Sequence, residues 1–233
     1  MRSFLGLASR ALRITSQRRW SGDEPATGLT WGSLMTGDSL WALYQKYREF
    51  SSHDKIFEIG PGYGRLLKTA LDRKLPFHSY TALELSKSRV DRLRREFDLK
   101  NVHFIQGDVD TWTSSSTFDV VICSSTFEHL YPDCRNALRK IHEYLDSEGS
   151  AFIDFIGNTR KQIFGNFGIN LPRKIVYFEP NGTYIRVYPR EQLFELFIEC
   201  GFRVRAIETC TLGEGNRGPV NRLVVVAGRA QLA

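Results

Sequence analysis

No uninterrupted apolar run in the 233 residues approaches the ~20 needed to span a bilayer, so no membrane-spanning helix is expected. Cysteine is scarce and shows no CxxC spacing: Cys123, Cys134, Cys200 and Cys210 stand far apart, and Cys123 and Cys200 fall in expected core elements. They read as reduced thiols of a cytoplasmic chain, not as metal ligands, and no metal is implied. Acidic residues are absent from residues 1–22, and so is lysine, while Arg2, Arg10, Arg13, Arg18 and Arg19 all lie there. Without those five arginines, 27 basic residues face 26 acidic ones, so the net charge of +6 belongs to the leader and the body is nearly neutral. A broad phosphate-binding face is not implied, and nucleic acid is not an expected partner. Internal repeats and low-complexity segments are also missing.

What is present is a globular composition, 42% hydrophobic and 25% charged, in a chain long enough to bury a core without disulfide or metal staples. Three parts are expected: a basic amphipathic leader over 1–22, a linker and lid helix over 23–54, and one folded domain over 55–233. In the leader, Phe4, Leu5, Leu7, Ala8, Ala11, Leu12 and Ile14 can share one helical face, with the arginines largely opposite. This fits a helix lying on an anionic membrane surface, an organelle (mitochondrial) presequence, or a frayed helix packed on the body. "SGDEPATG" (21–28) then reads as a linker. Over 29–50, Trp31, Trp41, Tyr44 and Tyr47 mark a helix that Asp38 or Thr36 caps. Those aromatics serve either to shape a pocket or to staple the helix to the sheet.

From residue 55 apolar strands alternate with helices: "KIFEIG", "RLLKTALDRK", "HSYTALEL", "SKSRVDRLRREF" capped by Ser86, "VHFIQGD", "FDVVICSS", "CRNALRKIHEYLD" closed by "SEGS", "SAFIDFI" and "PREQLFELFIECG". The chain closes with two strands, "FRVRAIETC" and "RLVVVAG", joined by the helix-free loop "TLGEGNRGPVN". The pattern predicts an α/β fold: a single doubly wound, mostly parallel seven-stranded sheet, with an antiparallel edge strand. Residues 157–184 form a long irregular stretch whose Arg160, Lys161, Arg173 and Lys174 suit an anionic acceptor or a solvated rim.

"FEIGPGYGRLL" (57–67) places Gly60, Gly62 and Gly64 between a strand and a helix, with Glu58 two places ahead. A dinucleotide fingerprint would need glycine at 65, where Arg65 stands, and no GK[ST] follows for a phosphate loop. The stretch ExGxGxG resembles the first motif of class I S-adenosylmethionine-dependent methyltransferases, specifically their small-molecule branch. The likeness continues through Glu84 at the end of the second strand, Asp108 at the end of the third, the "STFEHL" turn after the fourth and the late helix "VYPREQLFELFIECGFRV". It covers roughly residues 55–228.

The resemblance implies a Rossmann-like methyltransferase fold and S-adenosyl-L-methionine as cofactor. It assigns Glu84 to the ribose hydroxyls, Asp108 to the adenine amino group, Val109 to the ring's neighbourhood and Glu58 to the ammonium. The three glycines and Ser124 complete the expected cofactor set. Such acids suit a ligand that carries a sulfonium and an ammonium but no phosphate. Residues Ser124 to His129 should face the methyl group. His129 is the candidate general base, since histidine titrates near neutrality, and Glu128 is its partner or a cofactor contact. An "EH" pair that merely orients the turn is the alternative. The [ND]PP[YF] motif common in methylation of nucleobase amino groups is missing, since "SSTF" stands there. The expected activity is transfer of a methyl group to a small-molecule acceptor, such as a hydroxyl of a sugar, lipid or quinone precursor. A protein- or RNA-directed organellar enzyme and a non-catalytic scaffold are the alternatives.

Overall fold

A computed structural model describes residues 20–21, 37–156, 176–178, 184–215 and 218–230. The leader up to residue 19, the linker from residue 22, Trp31, Thr36 and the four basic residues of the 157–184 stretch lie outside the described residues.

Seven strands form one sheet: β1 (Lys55–Ile59), β2 (Ser79–Glu84), β3 (Val102–Gln106), β4 (Phe118–Cys123), β5 (Leu145–Ile156), β8 (Phe202–Gly215) and β9 (Gly218–Arg229). A separate small ribbon pairs β6 (Val176–Phe178) with β7 (Tyr184–Arg186). The sheet order is β3-β2-β1-β4-β5-β9-β8. The first five strands are parallel, and β9 runs antiparallel to both β5 and β8, giving that edge its antiparallel pair.

Alternation along each strand sends side chains to opposite faces. Phe57 and Ile59 of β1, Val121 of β4 and Ile153 of β5 pack beneath α4 (Arg135–Tyr144) and α5 (Arg190–Glu199). Ile56, Val120, Ile122 and Phe152 pack on the other face, under α1 (Asp38–Tyr47), α2 (Arg65–Asp72) and α3 (Lys87–Glu96). Trp41 and Tyr44 of α1 are fully buried there, and Trp41 Nε1 donates to the carbonyl of Leu66 at 2.9 Å. Trp41 thus staples α1 to α2, and both aromatics lie in the folded core.

Ser86 caps α3 as expected, accepting from the Arg89 amide. The expected cap of α1 is not made: Gly37 holds the N-cap position without a side-chain bond, and Asp38 instead pairs with Arg73 at 2.8 Å. The Gly37 amide donates to Thr69 Oγ1, so a tertiary contact replaces the local one. Two boundaries also differ. β5 begins at Leu145, which pairs with Phe118 before the register shifts to Val120 and Ser150, so the "SEGS" turn lies inside the strand. The expected loop "TLGEGNRGPVN" is largely ladder, with Thr211 facing Asn221 and Gly215 facing Gly218. Glycine and proline read as breakers there, but Pro219 lies in β9 beyond Arg222, where its described pairing with β5 ends, so this stretch is a ribbon with the edge strand β8, in which both residues are tolerated. Among the described residues, no helix is long and apolar enough to cross a membrane.

Candidate active site

Strand order reverses between β1 and β4, and open α/β sheets bind ligands at such a switch point, outside the carboxyl ends of the strands. The turn after β1 and the turn after β4 meet there. Gly60 has φ +68°, and a Cβ on it would lie 2.2 Å from Thr126 Oγ1 of the second turn. Gly64, at φ +78°, leaves no room either, since its Cβ would meet Phe97 at 2.6 Å. Around Gly62, by contrast, nothing lies within 4 Å of the added atom, so the middle of the turn faces open space. Glycine is thus required at 60 and 64 by both backbone and contact.

Glu84, at the end of β2, is buried and closes on the glycine turn. Its carboxylate accepts from the Gly62 amide (3.1 Å), the Ser86 amide (3.0 Å) and Arg89 Nη1 (3.4 Å). A carboxylate offers about four acceptor sites, and the Arg89 bond is the longest of the three. Burial raises the Glu84 pKa, against the pull of its donors. Asp108 lies two residues past β3, where its Oδ1 accepts from the Asp110 amide at 2.9 Å and shapes the turn. Val109 is buried in the core beneath that turn.

Glu58 sits under the glycine turn, fully enclosed, with Tyr80 Oη donating to it at 2.6 Å. Burial pushes its pKa up to about 7, while the Tyr80 bond and Arg65 pull it down. A raised folded-state pKa means the folded chain holds this proton more tightly than the unfolded one. The resulting stabilisation is complete below the ordinary carboxylate pKa and is lost as pH rises through about 7. Thermal melts from pH 5 to pH 8 should therefore show a decline in wild type that Glu58→Gln lacks; parallel profiles would refute it.

The β4 turn is built on a buried ionic cluster. Arg222 of β9 donates to both oxygens of Glu128 (2.8 and 3.0 Å) and to Asp154 of β5 through Nε (2.8 Å) and Nη2 (2.5 Å). Burial alone would lower the Arg222 pKa, but Asp154 and then Glu128 outweigh it and raise it. Asp154 also accepts from Ser124 Oγ (2.5 Å) and from the amide of Ser125, which is held at φ +59°. Arg65 Nη2 donates to Ser124 Oγ at 2.6 Å. So Ser124 points into this cluster, and both oxygens of Glu128 are engaged by Arg222. Glu128, expected to partner His129 or to contact the cofactor, is thus held by Arg222.

His129 closes a single 3-10 turn (Phe127–His129) anchored by the fully buried Phe127. Its Nδ1 lies 2.9 Å from the carbonyl of Tyr184, on β7. A carbonyl only accepts, so Nδ1 carries the proton, and in the neutral ring Nε2 is the basic nitrogen.

Sequence reading did not single out Tyr44 as a site residue, nor Arg65, Asp154 or Arg222. The signals were faint: an aspartate inside the apolar "SAFIDFI" and an arginine opening "RLVVVAG". Two of these residues bear on the cofactor. Tyr44 Oη and Arg65 Nη1 are buried, yet neither has a hydrogen-bond partner among the described residues. Tyr44 feels Asp154, Arg65 and Glu58 electrostatically, and burial first, then Asp154, raises its pKa well above the usual value. Two donors beside Glu58, with Glu84 and Asp108 at the strand ends across the turn, fit a ligand with an amino-acid end and a ribosyl-adenine end. Among the described residues no cluster of histidine, cysteine, aspartate or glutamate is placed to hold a metal ion.

Residues 56–149 match the family model described as "Methyltransferase domain". A malonyl-[acyl-carrier protein] O-methyltransferase of Bacillus cereus is 27% identical over 180 residues, covering 76% of this chain and 64% of the relative. A ubiquinone biosynthesis O-methyltransferase of Rickettsia typhi is 21% identical over 159 residues, covering 66% and 62%. The chain thus spans less than two thirds of the length of these relatives. Among solved structures, a 1,6-didemethyltoxoflavin-N1-methyltransferase of Burkholderia thailandensis, with bound 1,6-didemethyltoxoflavin and S-adenosylhomocysteine, superposes with a TM-score of 0.69 at 16% identity, over 99% of this chain and 90% of that one. The glycopeptide N-methyltransferase MtfA complexed with S-adenosyl-L-methionine gives 0.61 at 18% identity, over 84% and 95%. The sheet order is that of these solved S-adenosylmethionine-dependent methyltransferases, and residues 56–149, which hold the switch-point turns, match the methyltransferase domain model.

Proposed function

We propose that this chain is an S-adenosylmethionine-dependent O-methyltransferase that acts on a hydroxyl of a small molecule. The carrying observation is His129: its Nδ1 is bonded to the Tyr184 carbonyl, which makes Nε2 the basic nitrogen, and it stands on the turn that abuts the glycine loop. A hydroxyl must lose its proton as it is methylated, and a positioned imidazole suits that step. The O-methyltransferase names of the relatives support the same choice of atom.

Bound S-adenosylmethionine supplies a methyl group already activated by the sulfonium. The chain's own groups do the rest. Glu84 receives ribose hydroxyls and Asp108 the adenine edge, beside Val109. Glu58 answers the ammonium, and the unpartnered donors of Tyr44 and Arg65 meet the carboxylate. The Arg222 cluster fixes the β4 turn, so that His129 stands where the acceptor's proton leaves. Sugar, lipid and quinone precursors are the acceptor classes, consistent with a leader resting on a membrane surface in the cytoplasm or directing the chain to mitochondria.

Incubation with methyl-tritiated cofactor and a panel of phenols, polyols and primary amines tests this reading. Label should enter a hydroxyl compound. Transfer to amines alone would overturn the O-directed assignment.

A further inference from the structure

Trp20 lies just before the linker, and nothing in the sequence connects it to the site. Yet its indole packs on the His129 imidazole, with ring centroids 4.5 Å apart and planes tilted by 43°. The Arg89 guanidinium lies 6.0 Å from the same indole. Arg89 is the side chain that holds Glu84, and its guanidinium also lies 5.7 Å from Tyr63, inside the glycine turn. Trp20 therefore bridges the two ends of the cleft, from the ribose acid's partner to the candidate base. Its Nε1 is buried and has no hydrogen-bond partner among the described residues. A buried indole N–H normally finds an acceptor, so its orientation calls for one from a ligand.

We propose that Trp20 is a ligand-contacting residue of the methyl-transfer site: its ring walls the cleft between Arg89 and His129, and its N–H donates to an oxygen of the bound cofactor. The proposal rests on the methyltransferase reading. A ligand held by Glu84 at one end and presented to His129 at the other has to run alongside this indole. The donor then meets a ribose or carboxylate oxygen. The ring also stands beside Arg89, which among the described residues is the one partner of Glu84 that is a side chain and can yield to ribose hydroxyls.

The test uses the full chain and S-adenosylhomocysteine as probe, by calorimetry and by intrinsic fluorescence, on wild type, Trp20→Phe and Trp20→Ala. Trp20→Ala should weaken binding roughly tenfold, the loss expected for one hydrogen bond together with an aromatic contact. Trp20→Phe keeps the ring and should recover part of that loss. Saturating ligand should change the emission of wild type more than that of Trp20→Phe, because the indole it touches is gone from the variant. Melting of the unliganded variants reports on folding, and Trp20→Phe keeps the test decisive if the alanine variant unfolds. Equal affinities in all three chains, or equal emission changes in wild type and Trp20→Phe, overturn the proposal while leaving the cofactor reading intact. A folded wild type that fails to bind sinks both together.

Discussion

Arg222→Met should destabilise the fold by about 3–5 kcal/mol, the range for removing one partner of a buried ion pair. Arg222 is 3% exposed, Glu128 1% and Asp154 not at all. Methionine fills similar space but leaves two carboxylates facing each other without a cation. Water cannot reach them, so their desolvation goes uncompensated. Urea denaturation would measure the loss, and heating should lower Tm by several degrees per kcal/mol. Glu128→Gln should cost less, because the amide oxygen still accepts from Arg222 and Asp154 remains as counterion. A loss below about 1 kcal/mol for Arg222→Met, the level of an exposed pair, would refute the cluster's structural role.

The second large effect concerns chemistry. His129→Asn should lower kcat by about 10²–10⁴-fold, the usual contribution of a positioned general base. Affinity for S-adenosylhomocysteine should hold, because His129 is assigned to the acceptor's proton and not to the cofactor. A merely structural histidine would behave differently, with a lowered Tm and a kcat largely retained in the folded variant. Tyr184 contributes only its carbonyl to His129, so substituting its side chain tests a separate contact, the Tyr184 hydroxyl's bond to the Pro132 carbonyl at 2.7 Å.

These two sites show what the sequence reveals and what it hides. The glycine turn, Glu84 and Asp108 are local features: each sits where an apolar strand ends, and strand ends in this fold converge. Their place at the switch point follows from the alternation of strands and helices alone. Ser86 as a cap is legible for the same reason. The Arg222 cluster is not local. Its bonds join residues 68 and 94 positions apart, and no pattern along the chain announces a pairing of that span. Glu128 therefore looked like chemistry from its neighbour His129, when its partner comes from the last strand. Trp20 is hidden in the same way, 109 residues from the imidazole it touches. The ladder over 211–221 was misread for another reason: glycine and proline signal a loop, but an edge ribbon accommodates both.

The most direct test of the site as a whole is calorimetric titration of S-adenosylhomocysteine into wild type and Glu84→Ala. Glu84 joins the β2 end to the glycine turn and is the acid assigned to ribose, so both the cofactor and its orientation depend on it. Micromolar binding by wild type, weakened by about 1–3 kcal/mol in the variant, is the expected result for a lost buried hydrogen-bonding group. Folded wild-type protein that shows no heat of binding at millimolar ligand would contradict it, and would leave a methyltransferase fold serving as a scaffold.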